Sequence, residues 1–233
     1  MDIWIFDLDG VLQRPAYPHP QLMLDVSVVT GVPYEELYRH YSTSFTTNEE
    51  LEDYQISLCH GDQKKIDEVK AFWRRLHAEM PNAPAIPGAT DLLEEIRTRG
   101  WEMLAYTKVA DDRGLEIQRE RLRRNDHLRF FPTGRILHSS SKGTIEGFKK
   151  IVLASDSPVV TLNPQRKVVV GDSFLQDILP PLQLGGFICV WIRWDQKPPE
   201  DFDPTNPNLV VVGSTQELVQ KVKEGAFDER DDH

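Results

Sequence analysis

Ile3-Trp4-Ile5-Phe6-Asp7-Leu8-Asp9-Gly10 is the stretch from which the fold can be read. Four apolar residues in a row, closed abruptly by two aspartates and a glycine, predict a buried strand that ends in acid. In extended chain, residues i and i+2 point the same way about 7 Å apart, so both carboxylates face one small volume at the strand's carboxyl end. At an effective dielectric near 20, two such charges repel by roughly 2 kcal/mol. A cation or a shared proton must relieve that repulsion. A lone aspartate at a strand end is an ordinary turn former; the pair with Gly10 behind it points to chemistry.

Outward from this stretch the composition changes twice. Pro15, Pro18 and Pro20 form one stiff connector, and Pro81, Pro84 and Pro87 form another. Between them the apolar spacing is helical: Leu22, Val26 and Val29; Leu37, Tyr38 and Tyr41 after Pro33; Leu51, Tyr54 and Leu58; and Ile66, Val69, Trp73 and Leu76. Thr47 with Glu50 reads as a capping box for the third of these helices. From Gly88 onward, helices and strands alternate. Strands are expected at 101–107, 135–138, 167–170, 187–192 and 209–212, and Ser214 with Glu217 caps a last helix. Pro180 and Pro181 must lie in the first turn of their helix or kink it.

Alternation with short loops predicts an α/β fold, a doubly wound and mainly parallel Rossmann-like sheet. The core would comprise residues 1–14 and 87–227, with a helical insert at 15–86 acting as a cap and an acidic tail at 228–233 expected to be disordered. Ligands of such sheets bind beyond the carboxyl ends of the strands.

The chain has 233 residues, 27 basic against 37 acidic, for a formal net charge of −10, which argues against a phosphate-backbone binder. The basic run Arg119-Glu120-Arg121-Leu122-Arg123-Arg124 sits in a helical pattern and reads as a solvated face. Two distant cysteines, Cys59 and Cys189, suit a reducing compartment. With a strand beginning at residue 3 and no apolar run of membrane-spanning length, the expectation is a cytoplasmic protein, monomer or homodimer, with neither membrane nor nucleic acid as partner.

Reading the strand ends in turn gives Asp7 and Asp9, then Thr107, then Lys142, then Asp172 with Asp177 five residues on. Thr107 alone could be a strand residue. Lys142 has Lys149 and Lys150 as rivals, Asp172 could cap a helix, and Asp177 could lie in solvent. Together they fit phosphoryl transfer. Asp7 and Asp172, with a backbone carbonyl near Asp9, offer oxygen ligands to Mg2+; Thr107 and Lys142 offer a hydroxyl and an ammonium to phosphoryl oxygens.

These motifs, Asp7-Leu8-Asp9-Gly10-Val11, the strand ending in Thr107, Lys142, and Val170-Gly171-Asp172-Ser173 through Asp177-Ile178, resemble in order the four motifs of the haloacid dehalogenase (HAD) superfamily. The likeness spans residues 1 to about 195. It implies a magnesium-dependent phosphatase acting on a small phosphorylated metabolite. Asp7 would be the nucleophile forming an aspartyl-phosphate; Asp9 would protonate the leaving oxygen and then activate water. Dehalogenases of the family lack an acid at the Asp9 position. Asp172 is favoured as metal ligand, with Asp177 behind it or paired to Lys142, and the insert falls where the family places a small cap. Tyr17, His40, Tyr41 and Phe45 read as core aromatics rather than site residues. A phospho-receiver module, a catalytically silent relative, a phosphomutase and a phosphonate hydrolase are the alternative readings.

Overall fold

A computed structural model describes residues 1–43, 48–109, 112–132, 134–194, 196, 198–199 and 202–228. Its strands are β1 (Ile3–Phe6), β2 (Glu102–Thr107), β3 (Ile136–His138), β4 (Lys167–Gly171), β5 (Ile188–Ile192) and β6 (Leu209–Val212). Its α-helices are α1 (His19–Thr30), α2 (Tyr34–Thr43), α3 (Asn48–Ser57), α4 (Gln63–Glu79), α5 (Ala89–Thr98), α6 (Asp112–Arg124), α7 (Ile145–Val152), α8 (Pro158–Thr161), α9 (Leu179–Leu184) and α10 (Thr215–Lys223). The strands form one sheet in the order β3-β2-β1-β4-β5-β6, every pair parallel. The expected doubly wound α/β sheet is therefore present, and β1 lies at its centre.

That position explains the uninterrupted apolar run. All four residues of β1 are buried because alternate side chains feed two separate cores. Trp4 and Phe6 join α5 and α10 on one face, whereas Ile3 and Ile5 join α7 and α9 on the other. Truncating any of them to alanine should cost about 2–5 kcal/mol. The order of strands reverses between β1 and β4, so the crevice of a doubly wound sheet opens beyond Phe6 and Gly171.

Helices α1–α4 enclose a third apolar cluster built around Leu22, Val26, Leu37, Leu51, Val69 and Trp73. Its one buried amide is satisfied: the Trp73 Nε1–H donates to Gln55 Oε1 at 2.9 Å, and Gln55 Nε2 donates to Met23 Sδ. The chain enters and leaves this layer through paired backbone, with Arg14 N donating to Pro84 O and Ile86 N to Leu12 O, each at 3.0 Å.

Local details follow the side chains. A π turn over Phe174–Ile178 precedes α9, and Pro180 and Pro181 occupy the first turn of α9, where their missing N–H groups cost nothing. Ser214 Oγ accepts from Glu217 N, but the Glu217 carboxylate accepts from Gly213 N, one residue before the position a capping box would use. The short α8 and the 3-10 turns at Met80–Asn82 and Leu128–Phe130 carry too few residues for a periodic signal. The Thr47 cap, Phe45 and residues 229–233 of the expected tail lie outside the described residues.

Candidate active site

The acids at the end of β1 are placed by hydrogen bonds that continue its ladder. Asp7 N donates to Val170 O at 2.9 Å, and Gly10 N then donates to Gln13 O to close a turn. Gly10 has φ +79°, and a β-carbon there would lie 1.9 Å from Asp172 Oδ2. Only glycine lets the two acidic segments approach this closely.

β4 delivers Asp172 from the other side of the crevice, and the π turn folds Asp177 back beside it. Asp177 Oδ2 accepts from Ser173 N at 2.9 Å, and a β-carbon on Gly171 would lie 2.1 Å from Asp177 Cβ. One carboxylate oxygen each from Asp7, Asp172 and Asp177 lies within 4.8 Å of the other two. The loop after β3 brings in Lys142, which donates to Asp7 and sits 2.8 Å from Asp177 Oδ1, with Tyr106 beneath it. Lys149, by contrast, pairs with Glu146 on the surface. Thr107 is buried at the end of β2 and lines the same cavity as Asp7 and Asp9. All six candidate side chains thus surround the end of β1, although the sequence separates them by up to 170 positions.

The electrostatics are those of crowded acid. Burial, reinforced by Asp177 and Asp9 and opposed by Lys142, pushes the Asp7 carboxyl up to about 7. Burial, then Asp177 and Asp7, raise Asp172 well above the usual carboxylate range. Burial works against the Lys142 charge, but Asp177 and Asp7 outweigh it and raise its pKa. The donor set at the centre of this crowd is all oxygen, the preference of a hard divalent ion. A cation beside Asp7 and Asp172 would remove the cost that now raises both, so the residues fit magnesium on chemical grounds.

Asp9 differs. Burial raises its pKa, but the Arg121 guanidinium overcomes this and holds the carboxyl below its ordinary value. Arg121 is wholly buried on α6 and reaches both carboxylate oxygens, while Gln118 Nε2 donates to Asp9 Oδ2 at 3.0 Å. This corrects the reading of the basic run as a solvated face. Arg119, Arg123 and Arg124 do pair with Glu116 and Glu120 in solvent, but Arg121 points inward with Gln118 and Leu122. The i, i+3 spacing of Gln118 and Arg121 on the apolar face of α6 was the signal available in the sequence.

A cavity of about 510 Å³ separates the acids from the helical layer; its walls include His19, Tyr41, His77, Lys108 and Arg113. Tyr41 was expected in the core. It is partly buried against the helical apolar cluster and also lines the cavity, stacking on His19 at 4.9 Å between centroids with Lys108 Nζ 5.5 Å from its ring. Tyr17 is core, fully buried and donating to Asp25. A larger groove of about 730 Å³ runs between Arg14 and Trp194 beside the hinge prolines, with no carboxylate among the described residues that line it. Among the described residues, no helix is long and apolar enough to cross a membrane.

No family model and no curated protein sequence matches the chain. Solved structures do. YfnB of Bacillus subtilis, assigned as a HAD-hydrolase and bound to magnesium, superposes over 95% of this chain and 98% of its own with TM-score 0.61 and 20% identity. A HAD family hydrolase from Deinococcus radiodurans with bound phosphate and sodium covers 97% of both chains at TM-score 0.60 and 19% identity. A protein from Thermotoga maritima assigned as a β-phosphoglucomutase covers 96% and 99% at TM-score 0.56 and 19% identity. Dehalogenases match as well. At these identities the likeness shows the fold.

Proposed function

We propose that this chain, which has the fold of the haloacid dehalogenase hydrolases, is a magnesium-dependent phosphatase that hydrolyses a small phosphorylated metabolite through an aspartyl-phosphate on Asp7. The observation that carries this reading is the bridging of Asp7 and Asp177 by Lys142 with Asp172 across from them. It leaves a nucleophilic carboxylate beside one fixed cation and a second cation-binding edge.

In this reading an Asp7 oxygen attacks phosphorus and the bond to the leaving oxygen breaks with its electron pair; Asp9, ionised at rest by its pairing with Arg121, passes to that oxygen a proton it first takes up from solvent in the cavity. Asp9 then takes a proton from water as it attacks the phosphorus. The Asp7–phosphorus bond breaks, returning the carboxylate and inorganic phosphate. Lys142 and Thr107 hold the transferred oxygens, and Asp177 keeps Lys142 in place. Asp7, Asp172 and the backbone at Asp9 would hold magnesium, which when bound supplies neutralisation of phosphoryl charge. The helical layer α1–α4 acts as the cap that covers the cavity, with Lys108 and Arg113 adding positive charge where an anionic substrate enters. Free, buried Cys59 and Cys189 support a reducing, cytoplasmic setting.

The test is phosphate release from a panel of metabolite phosphates. Activity should require magnesium, stop with chelator, and fall by about 10³-fold or more in Asp7→Asn. Release that survives Asp7→Asn or ignores chelator would overturn the proposal. Halide release without phosphate release would favour the dehalogenase branch instead, and an isomerised phosphate ester would favour a mutase.

A further inference from the structure

The clamp on Asp9 extends beyond the cavity. Arg121 Nη1 donates to Gln118 Oε1 at 3.1 Å as well as to Asp9, and Gln13 Nε2 donates to the same Gln118 oxygen at 2.7 Å. Gln13, Gln118 and Arg121 are all buried. Gln13 also lies in the paired backbone at the hinge, bridged to Asp9 on one side and Ala85 on the other. An unbroken set of hydrogen bonds therefore runs from the entry of the helical layer to the carboxylate. Asp9 keeps 38% of its side chain exposed, whereas Arg121 has none, so the clamp holds one edge of the carboxylate and leaves the other open to the cavity.

Burying a guanidinium costs several kcal/mol before its partner offsets it. Joining α6 to the turn after β1 needs no such charge, since Leu122 and Leu12 already pack in one cluster there. A forked, planar donor is suited to fixing the direction of a carboxylate, because two oxygens gripped at once cannot rotate.

We infer that Arg121, backed by Gln118 and Gln13, is the positioning residue for Asp9, fixing its carboxylate toward the leaving group and tying that orientation to the hinge of the helical layer. The inference rests on the phosphatase reading, in which Asp9 serves the leaving oxygen. Arg121 is wholly buried and is not among the residues that line the cavity. Its effect should therefore appear only where Asp9 matters.

Leaving groups separate the cases. p-Nitrophenyl phosphate departs readily without a proton, whereas glycerol phosphate needs one. Arg121→Lys keeps the charge but loses the fork, and Gln118→Met removes the amide that donates to Asp9 and accepts from Arg121 and Gln13 while leaving every charge in place. Each should lower kcat on glycerol phosphate by ~10–100-fold, the scale of misplaced acid–base assistance, and on p-nitrophenyl phosphate by less than about threefold, with KM little changed. Added to Asp9→Asn, either substitution should cause no further loss. Equal losses on both esters, or losses that multiply with Asp9→Asn, would show a structural staple and overturn the inference. Melting curves identify a variant that fails to fold; Gln118→Met then carries the test alone, and its wild-type activity on glycerol phosphate would equally overturn the inference. If Asp9→Asn itself spares glycerol phosphate, the acid–base reading has failed, a result distinguishable from failure of the clamp.

Discussion

The two ends of one sheet treat buried charge in opposite ways. At the amino end, Asp2 is buried and takes two hydrogen bonds from Arg166, at 3.0 Å from Nε and 2.5 Å from Nη2, joining the lead-in to β1 with the lead-in to β4. One acid meets one base, and the account closes. At the carboxyl end the ion pairs of Asp7, Asp9 and Asp177 among the described residues are with Lys142 and Arg121, and Asp172 crowds in beside them, so four acids share two bases. The same two strands carry both arrangements. A balanced pair is a staple; an unbalanced cluster favours uptake of a proton or, in the proposed reading, a cation.

Substitutions can break this contrast. The largest effect should come from Lys142→Met, which removes the cation shared by Asp7 and Asp177. Turnover should fall by about 10²–10³-fold, the usual loss for one transition-state charge stabiliser, and a steady-state assay on folded protein checks it. Arg166→Met at the opposite end should leave turnover per folded molecule unchanged. It should lower stability by about 1–3 kcal/mol, a buried-pair loss discounted for the partial exposure of the arginine, readable in a urea titration.

Asp172→Asn sharpens the comparison because its two consequences diverge. Relieving the acid crowd should raise the melting temperature of the metal-free protein by about 2–4 °C, the shift worth roughly 1 kcal/mol in a chain of this size. The same change should abolish stimulation by magnesium, so calorimetry with and without the ion separates stability from function. A gain in stability at the amino end from Asp2→Asn would contradict the distinction.

The smallest effect concerns a third buried polar group. His127 is buried, with Nε2 2.9 Å from Thr90 Oγ1, and burial holds its pKa below the ordinary 6.5. A depressed histidine pKa means that the unfolded chain binds more protons, so stability is lost as pH falls below 6.5. His127→Gln should flatten that part of a plot of melting temperature against pH, leaving the neutral range unchanged.

The sheet was legible because each central strand is a short apolar run closed by a polar residue, a pattern that β1, β4 and β5 all show. The edge strand β3 was harder, since its three residues are only half-buried. The acids were legible because strand ends must converge in a doubly wound sheet. Arg121 and Tyr41 were not. An arginine among arginines looks like surface, and its inward turn depends on the helical phase of α6 relative to a carboxylate more than a hundred residues earlier. Tyr41 lies on a helix whose apolar stripe and cavity-facing edge adjoin, so periodicity cannot tell packing from lining.

The backbone pairing of Arg14 with Pro84 and of Leu12 with Ile86 has a consequence for how such a molecule changes over generations. The segment between those pairs begins and ends at neighbouring points, so a tight hairpin closed there would leave every rung of the six-stranded ladder in register. In the proposed reading the chain is thus a chassis with an exchangeable module, whose replacement would alter what is admitted to the crevice without disturbing the carboxylates at its floor.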